Sequence, residues 1–166
     1  MGRGFEEGKI YLPGLLLSAE TAKVSFEVIK SAMSDSSVKR DASIVIATVK
    51  GDVHDIGKNI VKLLLENYGF SVTDLGRDVA SSDIVKAAKE RHADIVALSA
   101  LMTTTVPAME ETVKLLRAEL PDAKVMVGGA VLNEDYAKRI GADFYGKDAM
   151  SAVRYAESVE KAKGTM

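Results

Sequence analysis

The chain has 166 residues, no cysteine, and 22 Lys and Arg against 24 Asp and Glu, for a formal net charge of -2. That is the profile of a globular domain with a small appendage. It excludes disulfides, zinc-thiolate sites and thiol nucleophiles, and the near-neutral charge without a basic run argues against nucleic acid or an anionic membrane as partner. The start carries acids early, at Glu6 and Glu7, and Leu15-Leu16-Leu17 is too short an apolar run to export or span, so a cytoplasmic location is expected.

In chain order, Gly14 to Met33 places Leu15, Leu16, Ala19, Ala22, Phe26 and Ile29 near helical spacing. The polar run Ser34 to Asp41 that follows reads as a linker. From Ser43 to Val49 comes a short β-branched run with apolar residues on both faces, as a strand covered on both sides requires. The same signal returns at Phe70 to Leu75, Asp94 to Ala100 and Lys124 to Gly128, and more weakly at Asp143 to Tyr145. Between them lie helices. The first opens near Gly57, with Asp55 as a candidate cap, carries Ile60, Val61, Leu64 and Leu65, and ends at Tyr68-Gly69. The second begins after Ser81-Ser82-Asp83 and presents Ile84, Val85, Ala87 and Ala88. The third follows Pro107, with Met109, Val113, Leu116 and Leu120 on one stripe and Glu110 and Glu111 where the helix dipole favours acids; Pro121-Asp122 stops it. Alternation of this kind predicts right-handed crossovers and an α/β fold: a parallel sheet of about five strands with helices on both faces.

In such sheets ligands bind beyond the carboxyl ends of the strands. The first strand is followed by Gly51-Asp52-Val53-His54-Asp55-Ile56-Gly57, where Asp52 and His54 stand two residues apart and project to the same side. A carboxylate on one ring nitrogen fixes the tautomer and leaves the other as a lone-pair donor, the arrangement of metal-bound histidines. The only other histidine is His92, read as lying on a distant helix, so a free zinc ion lacks ligands. A metal on His54 should therefore arrive already caged in a macrocycle. Taken alone, His54 reads more readily as a surface residue and Gly128-Gly129 as a plain turn. Ser99-Ala100-Leu101 and Gly128-Gly129, however, end the third and fourth strands on the same sheet edge.

Together these motifs resemble the cobalamin-binding domains of corrinoid proteins, whose pattern is D-x-H-x-x-G, then S-x-L, then G-G. The resemblance runs from Ser43 to about Ala162, and Asp52 to Asn59 looks especially like the cobalamin domain of methionine synthase and of small corrinoid methyl carriers. It implies a flavodoxin-like fold over residues 42–163. It also implies a cobalamin or related corrinoid, in its methylcobalamin form, bound with its own base displaced from cobalt and His54 as the lower ligand. Its nucleotide tail would run into a slot beside the sheet, and the implied cofactor-binding residues are Gly51, Asp52, Val53, His54, Asp55, Ile56, Gly57, Ser99, Leu101, Thr103, Thr105, Gly128, Gly129 and Ala149, the last in the loop after the final strand. Asp52 and His54 are the residues implied to act on the chemistry. Gly128 and Gly129 allow close backbone approach, and Ser99 and Thr103 offer hydroxyls at the rim. Thr105 stands where the methionine synthase pattern has a serine linked to Asp52, but it is equally placed to cap the helix by Pro107.

Residues 1–33 resemble a short form of the helical module that covers the reactive face in methyl carriers, with Tyr11 a candidate contact there. They read as well as an amphipathic helix packing on the sheet domain. The implied role is to carry a methyl group on cobalt from a substrate-specific methyltransferase to a second methyltransferase, whose acceptor is tetrahydrofolate or a thiol, with a reductive activase as a further partner. The motif also occurs in small subunits of adenosylcobalamin mutases and in cobalamin sensors.

Overall fold

The computed structural model describes residues 40–163 and, before them, Thr21, Val24, Ser25 and Val28. The chain divides into two compact units, residues 1–35 and 36–166. In the first unit the four described residues are helical, and the Ser25 hydroxyl donates to the Thr21 carbonyl over 2.9 Å. Tyr11, the other residues of the expected front helix and residues 34–39 of the expected linker lie outside the described residues. The last two residues of the polar run are firmly held. Arg40 reaches Glu157 and Glu160, each at 2.6 Å, and lies over the Phe70 ring, while the Asp41 N–H donates to Glu160.

The second unit is built on five parallel strands, β1 (Ser43–Thr48), β2 (Ser71–Asp74), β3 (Ile95–Ser99), β4 (Lys124–Gly128) and β5 (Phe144–Tyr145), in the order β2-β1-β3-β4-β5. That is the flavodoxin-like order, and it agrees with the parallel sheet read from the strand pattern. The connecting helices are α1 (Ile56–Asn67), α2 (Ser81–Glu90), α3 (Val106–Glu119), α4 (Glu134–Arg139) and α5 (Ala149–Lys163), with a 3-10 turn over Thr103–Thr105.

Alternation along the strands divides the core into two layers. Val45, Ala47, Val96, Leu98, Val125 and Val127 pack with Ile84, Met109, Val113 and Leu116, so α2 and α3 cover one face. Ile44, Ile46, Ile95, Ala97 and Met126 pack with Leu65, Ala152, Val153 and Ala156, so α1 and α5 cover the other. Burial on both faces is why these strands read as unbroken apolar runs.

Several local readings are corrected. The second helix starts at Ser81 itself, with Ala80 in the cap position and the buried Ser81 hydroxyl accepting from Thr112 across on α3. Asp55 holds the cap position of α1 but makes no side-chain capping bond. His92 stands in the turn after α2, not on a helix, with φ of +48° and its carbonyl accepting from the Ser43 hydroxyl. The sequence reading passed over α4 and α5. Asn133 caps α4 by accepting from the Tyr136 N–H. At the start of α5, Asp148 and Ser151 exchange bonds, the Ser151 N–H to Asp148 at 2.6 Å and the Asp148 N–H to the Ser151 hydroxyl at 3.2 Å.

Candidate functional site

The carboxyl ends of β1, β3 and β4 open into a cleft of about 540 Å³, closed on its flanks by the first two turns of α1 and by the chain from Tyr145 into α5. Small residues make the space: Ala97, Gly128 and Ala152 line it where larger side chains would fill it. Its mouth carries Val53, Ile56 and Leu101, apolar side chains exposed at 55%, 45% and 40%, on either side of His54. A row of uncovered aliphatic groups around one imidazole suits a flat, largely apolar partner.

Asp52 organises this edge. It is fully buried, and both of its oxygens are saturated by donors. One accepts from the His54 N–H at 3.0 Å and pairs with the His54 ring Nδ1 at 2.8 Å. The other accepts from the Leu101 N–H at 2.6 Å, the Met102 N–H at 3.3 Å and the Thr105 hydroxyl at 2.9 Å. Burial alone would raise the carboxyl, but the bonds from the backbone of His54 and Leu101, the His54 ring and Thr105 outweigh it and hold Asp52 well below the usual carboxylate range. An ionised acceptor at Nδ1 places the ring proton there and leaves Nε2 as the lone-pair atom. The His54 side chain is 46% exposed at the mouth of the cleft.

The backbone beneath His54 is held as well. The buried Thr48 hydroxyl donates to the His54 carbonyl at 3.3 Å, and the Asp52 N–H to the Val49 carbonyl at 3.1 Å. Gly51 turns the chain at φ of +85°, in the region that favours glycine. Gly129, at φ of +140°, admits no side chain at all: a Cβ there would lie 1.7 Å from the Ala100 carbonyl oxygen. Gly57 is the opposite case. It lies in the first turn of α1, lines the cleft, and a Cβ on it would meet nothing within 4 Å.

Of the residues singled out in the sequence, Val53, His54, Asp55, Ile56, Gly57, Ser99, Leu101, Gly128, Gly129 and Ala149 line the cleft, and Asp52 and Thr105 stand behind His54. Ala149 is the first residue of α5 rather than part of a loop. Thr105 precedes α3 but makes no capping bond; its hydroxyl lies within reach of Asp52 and, at 2.8 Å, of the Met102 carbonyl. Thr103 is exposed on the 3-10 turn and does not line the cleft. Sequence reasoning missed Ile46, Ala97, Met126 and Ala152 in the depth of the cleft and Gly146 at its flank. Gly146, directly after β5, was the available signal, a further glycine on the carboxyl edge.

A family model described as a B12 binding domain matches residues 42–154. The chain belongs to that family. The cofactor of this B12-binding chain is accordingly a corrinoid of the cobalamin type, with its cobalt. The chain is 41% identical over 162 residues to dimethylamine corrinoid protein 3 of Methanosarcina mazei, covering 96% of this chain and 97% of the relative. It is 44% identical over 163 residues to trimethylamine corrinoid protein 1 of Methanosarcina acetivorans, covering 96% and 76%. Among solved structures it resembles the monomethylamine corrinoid protein of Methanosarcina barkeri, with a TM-score of 0.85 and 30% identity over 95% of this chain and 76% of that one. Likeness to a Francisella response-regulator receiver domain, at 14% identity over 74% of this chain and 99% of that one with a TM-score of 0.57, is one of fold alone.

The residues present fit such a group. Glycine in a helix costs about 0.5–1 kcal/mol relative to alanine, and none of the described residues fills the space beside Gly57. The open volume there, the small residues behind it and the free Nε2 form one continuous receptacle. Among the described residues no three His, Cys, Asp or Glu side chains gather to hold a bare metal ion. No described helix is long and apolar enough to cross a membrane.

Proposed function

We propose that this B12-binding chain is a methyl carrier in which His54 Nε2 is the lower ligand of the corrinoid cobalt. The observation that carries the reading is the 2.8 Å contact between His54 Nδ1 and an Asp52 carboxylate that is saturated by donors and stays ionised. The bound corrinoid supplies a cobalt that accepts a methyl group as a nucleophile and yields it as an electrophile. The chain's part is to hold and tune it. Asp52 keeps the ring proton on Nδ1 and leaves Nε2 as the ligating atom, Leu101 and Thr105 fix the carboxylate, and Val53, Ile56 and Leu101 would exclude water around the imidazole once the corrinoid covers them. Gly57, Gly128, Gly129, Ser99 and Ala149 border the slot that takes the nucleotide tail.

The names of the relatives support a partner methyltransferase that presents a methylated amine, and a structure of a methanol:cobalamin methyltransferase complex from Methanosarcina barkeri, 33% identical over 96% of this chain and 61% of that one with a TM-score of 0.71, supports work beside such an enzyme. A second methyltransferase, with a thiol or tetrahydrofolate as acceptor, and a reductive activase complete the system. Residues 42–163 form the corrinoid domain and residues 1–33 a short helical module joined through 34–41.

The test is reconstitution with cobalamin, reduction to cobalt(II), and electron paramagnetic resonance on protein labelled with nitrogen-15 histidine. Histidine ligation gives a doublet nitrogen splitting that His54→Ala abolishes. A triplet in the wild type, from the cofactor's own base, overturns the assignment.

A further inference from the structure

We propose that Asp78, which no part of the D-x-H-x-x-G pattern contains, is a positioning residue for His54 that acts through the backbone of Gly51 and Asp52. The proposal rests on the reading of His54 as the cobalt ligand. After β2 the chain does not leave β1: the Thr48 N–H donates to the Gly76 carbonyl at 3.0 Å and the Val79 N–H to the Thr48 carbonyl at 3.1 Å. This brings Asp78 against the loop that carries His54. Two bonds cross between them, the Asp78 N–H to the Asp52 carbonyl at 2.9 Å and the Gly51 N–H to the Asp78 carboxylate at 2.8 Å.

The backbone of Asp78 is held at φ of +56°, a left-handed conformation that side chains other than glycine rarely adopt and that Asp and Asn tolerate best. Such a conformation persists where its surroundings over-determine it, and here the surroundings are the two bonds to the His54 loop. Asp52 is thereby gripped at both ends. Its carboxylate is fixed by Leu101 and Thr105 and its carbonyl by Asp78, so the imidazole that leans on that carboxylate inherits its position.

The same connection holds the loop downstream of His54. Asp74 at the end of β2 pairs at 2.5 Å with Lys58, a lysine buried in the first turn of α1, and also accepts from the Gly76 N–H at 2.9 Å. Residues 74–78 thus bracket the His54 loop at Gly51 and Asp52 on one side and at Lys58 on the other. A ligand held by a preorganised neighbour keeps its place without relying on the metal to order it. The competing reading is a surface ion pair, since Asp78 also meets the exposed Lys50 at 3.0 Å. Exposed pairs contribute little, and the pair is separable from the bracket by mutation.

The experiment uses the full chain reconstituted with cobalamin and the nitrogen-15 histidine resonance of its cobalt(II) form, beside the cobalamin affinity and the melting temperature of the unloaded protein. Asp78→Gly keeps the backbone conformation and removes the carboxylate; Asp78→Asn keeps an acceptor for the Gly51 N–H. The expected result is that Asp78→Gly lowers the histidine-ligated fraction and weakens cobalamin binding roughly threefold to tenfold, the effect of one net hydrogen bond. Asp78→Asn restores both, and Lys50→Met leaves both unchanged. A wild-type doublet with Asp78→Gly indistinguishable from it overturns the role of Asp78 alone. So does a loss in Lys50→Met equal to that in Asp78→Gly, or a loss that follows melting temperature across all three variants. A wild-type triplet overturns the ligand reading, and the proposal with it.

Discussion

Replacing Gly57 by alanine should move stability and cofactor affinity in opposite directions. The position is helical, carries no positive φ, and its added methyl meets nothing within 4 Å, so the unloaded protein gains only the helix preference of alanine over glycine. That is about 0.5–1 kcal/mol, or about 2–5 °C in melting temperature for a domain of this size. The methyl projects into the cleft, however, and costs affinity wherever the corrinoid fills that space; overpacking by one carbon costs about 1–3 kcal/mol, or roughly fivefold to a hundredfold in Kd. Calorimetric melting of the unloaded chain and a spectrophotometric cobalamin titration read the two effects separately. Gly129→Ala is the internal control: its Cβ would sit 1.7 Å from the Ala100 carbonyl oxygen, so it lowers stability, by about 2–5 kcal/mol from backbone strain and overpacking together. If Gly57→Ala binds cobalamin as the wild type does, the first turn of α1 is not part of the seat and the argument from the open glycine fails.

Asp52→Ala should cost about 1–3 kcal/mol in the unloaded protein, since it removes the acceptor of the Leu101 and Met102 N–H groups while the Thr105 hydroxyl keeps the Met102 carbonyl, and urea unfolding measures it. Because the folded protein holds the Asp52 carboxyl below its unfolded value, its contribution is full above the unfolded value and is lost as pH falls through the folded one; the acid limb of an unfolding curve should flatten in Asp52→Asn. Tyr155 behaves in the opposite sense. Burial, then the Asp143 carboxylate, pushes its phenol up to about 12, so its contribution persists below the unfolded value and is lost as pH rises between the two; phenolate absorbance should show one late-titrating tyrosine that Tyr155→Phe removes. Arg40→Ala should lose about 1–2 kcal/mol, from two partly buried ion pairs and the stacking on Phe70, as thermal melting can show.

What the sequence made readable follows from which interactions are local. Strands covered on both faces announce themselves as runs such as Ser43 to Val49, because every position must be apolar, and the three helices with long apolar stripes announce themselves by period. The six residues of α4 hold less than two turns of that pattern, and α5 buries mostly small residues, Ser151, Ala152, Val153 and Ala156, which make a weak stripe. Their capping residues carried the clearer signal. In the site, the pair Asp52 and His54 was visible because two residues of one loop on one side suffice to bring them together. The double role open to Thr105 was decided by distance alone: its hydroxyl lies 2.9 Å from a carboxylate that is 53 positions away in the chain.

The least readable contributions are those in which one loop disciplines another. Asp78 lies 24 residues past His54 on a different connection, and its spacing follows no period. Only the sheet order, which seats β2 beside β1, turns that separation into two hydrogen bonds. The order β2-β1-β3-β4-β5 also explains why the site needs both neighbours of β1: the β3 side supplies Leu101 and Thr105 to the Asp52 carboxylate, and the β2 side supplies Asp78 to its backbone. A loop that follows an interior strand of such a sheet can be held from two flanks at once, whereas the same loop on edge strand β2 or β5 would have only one. That asymmetry is a physical reason for the histidine to follow an interior strand such as β1 rather than edge strand β2 or β5.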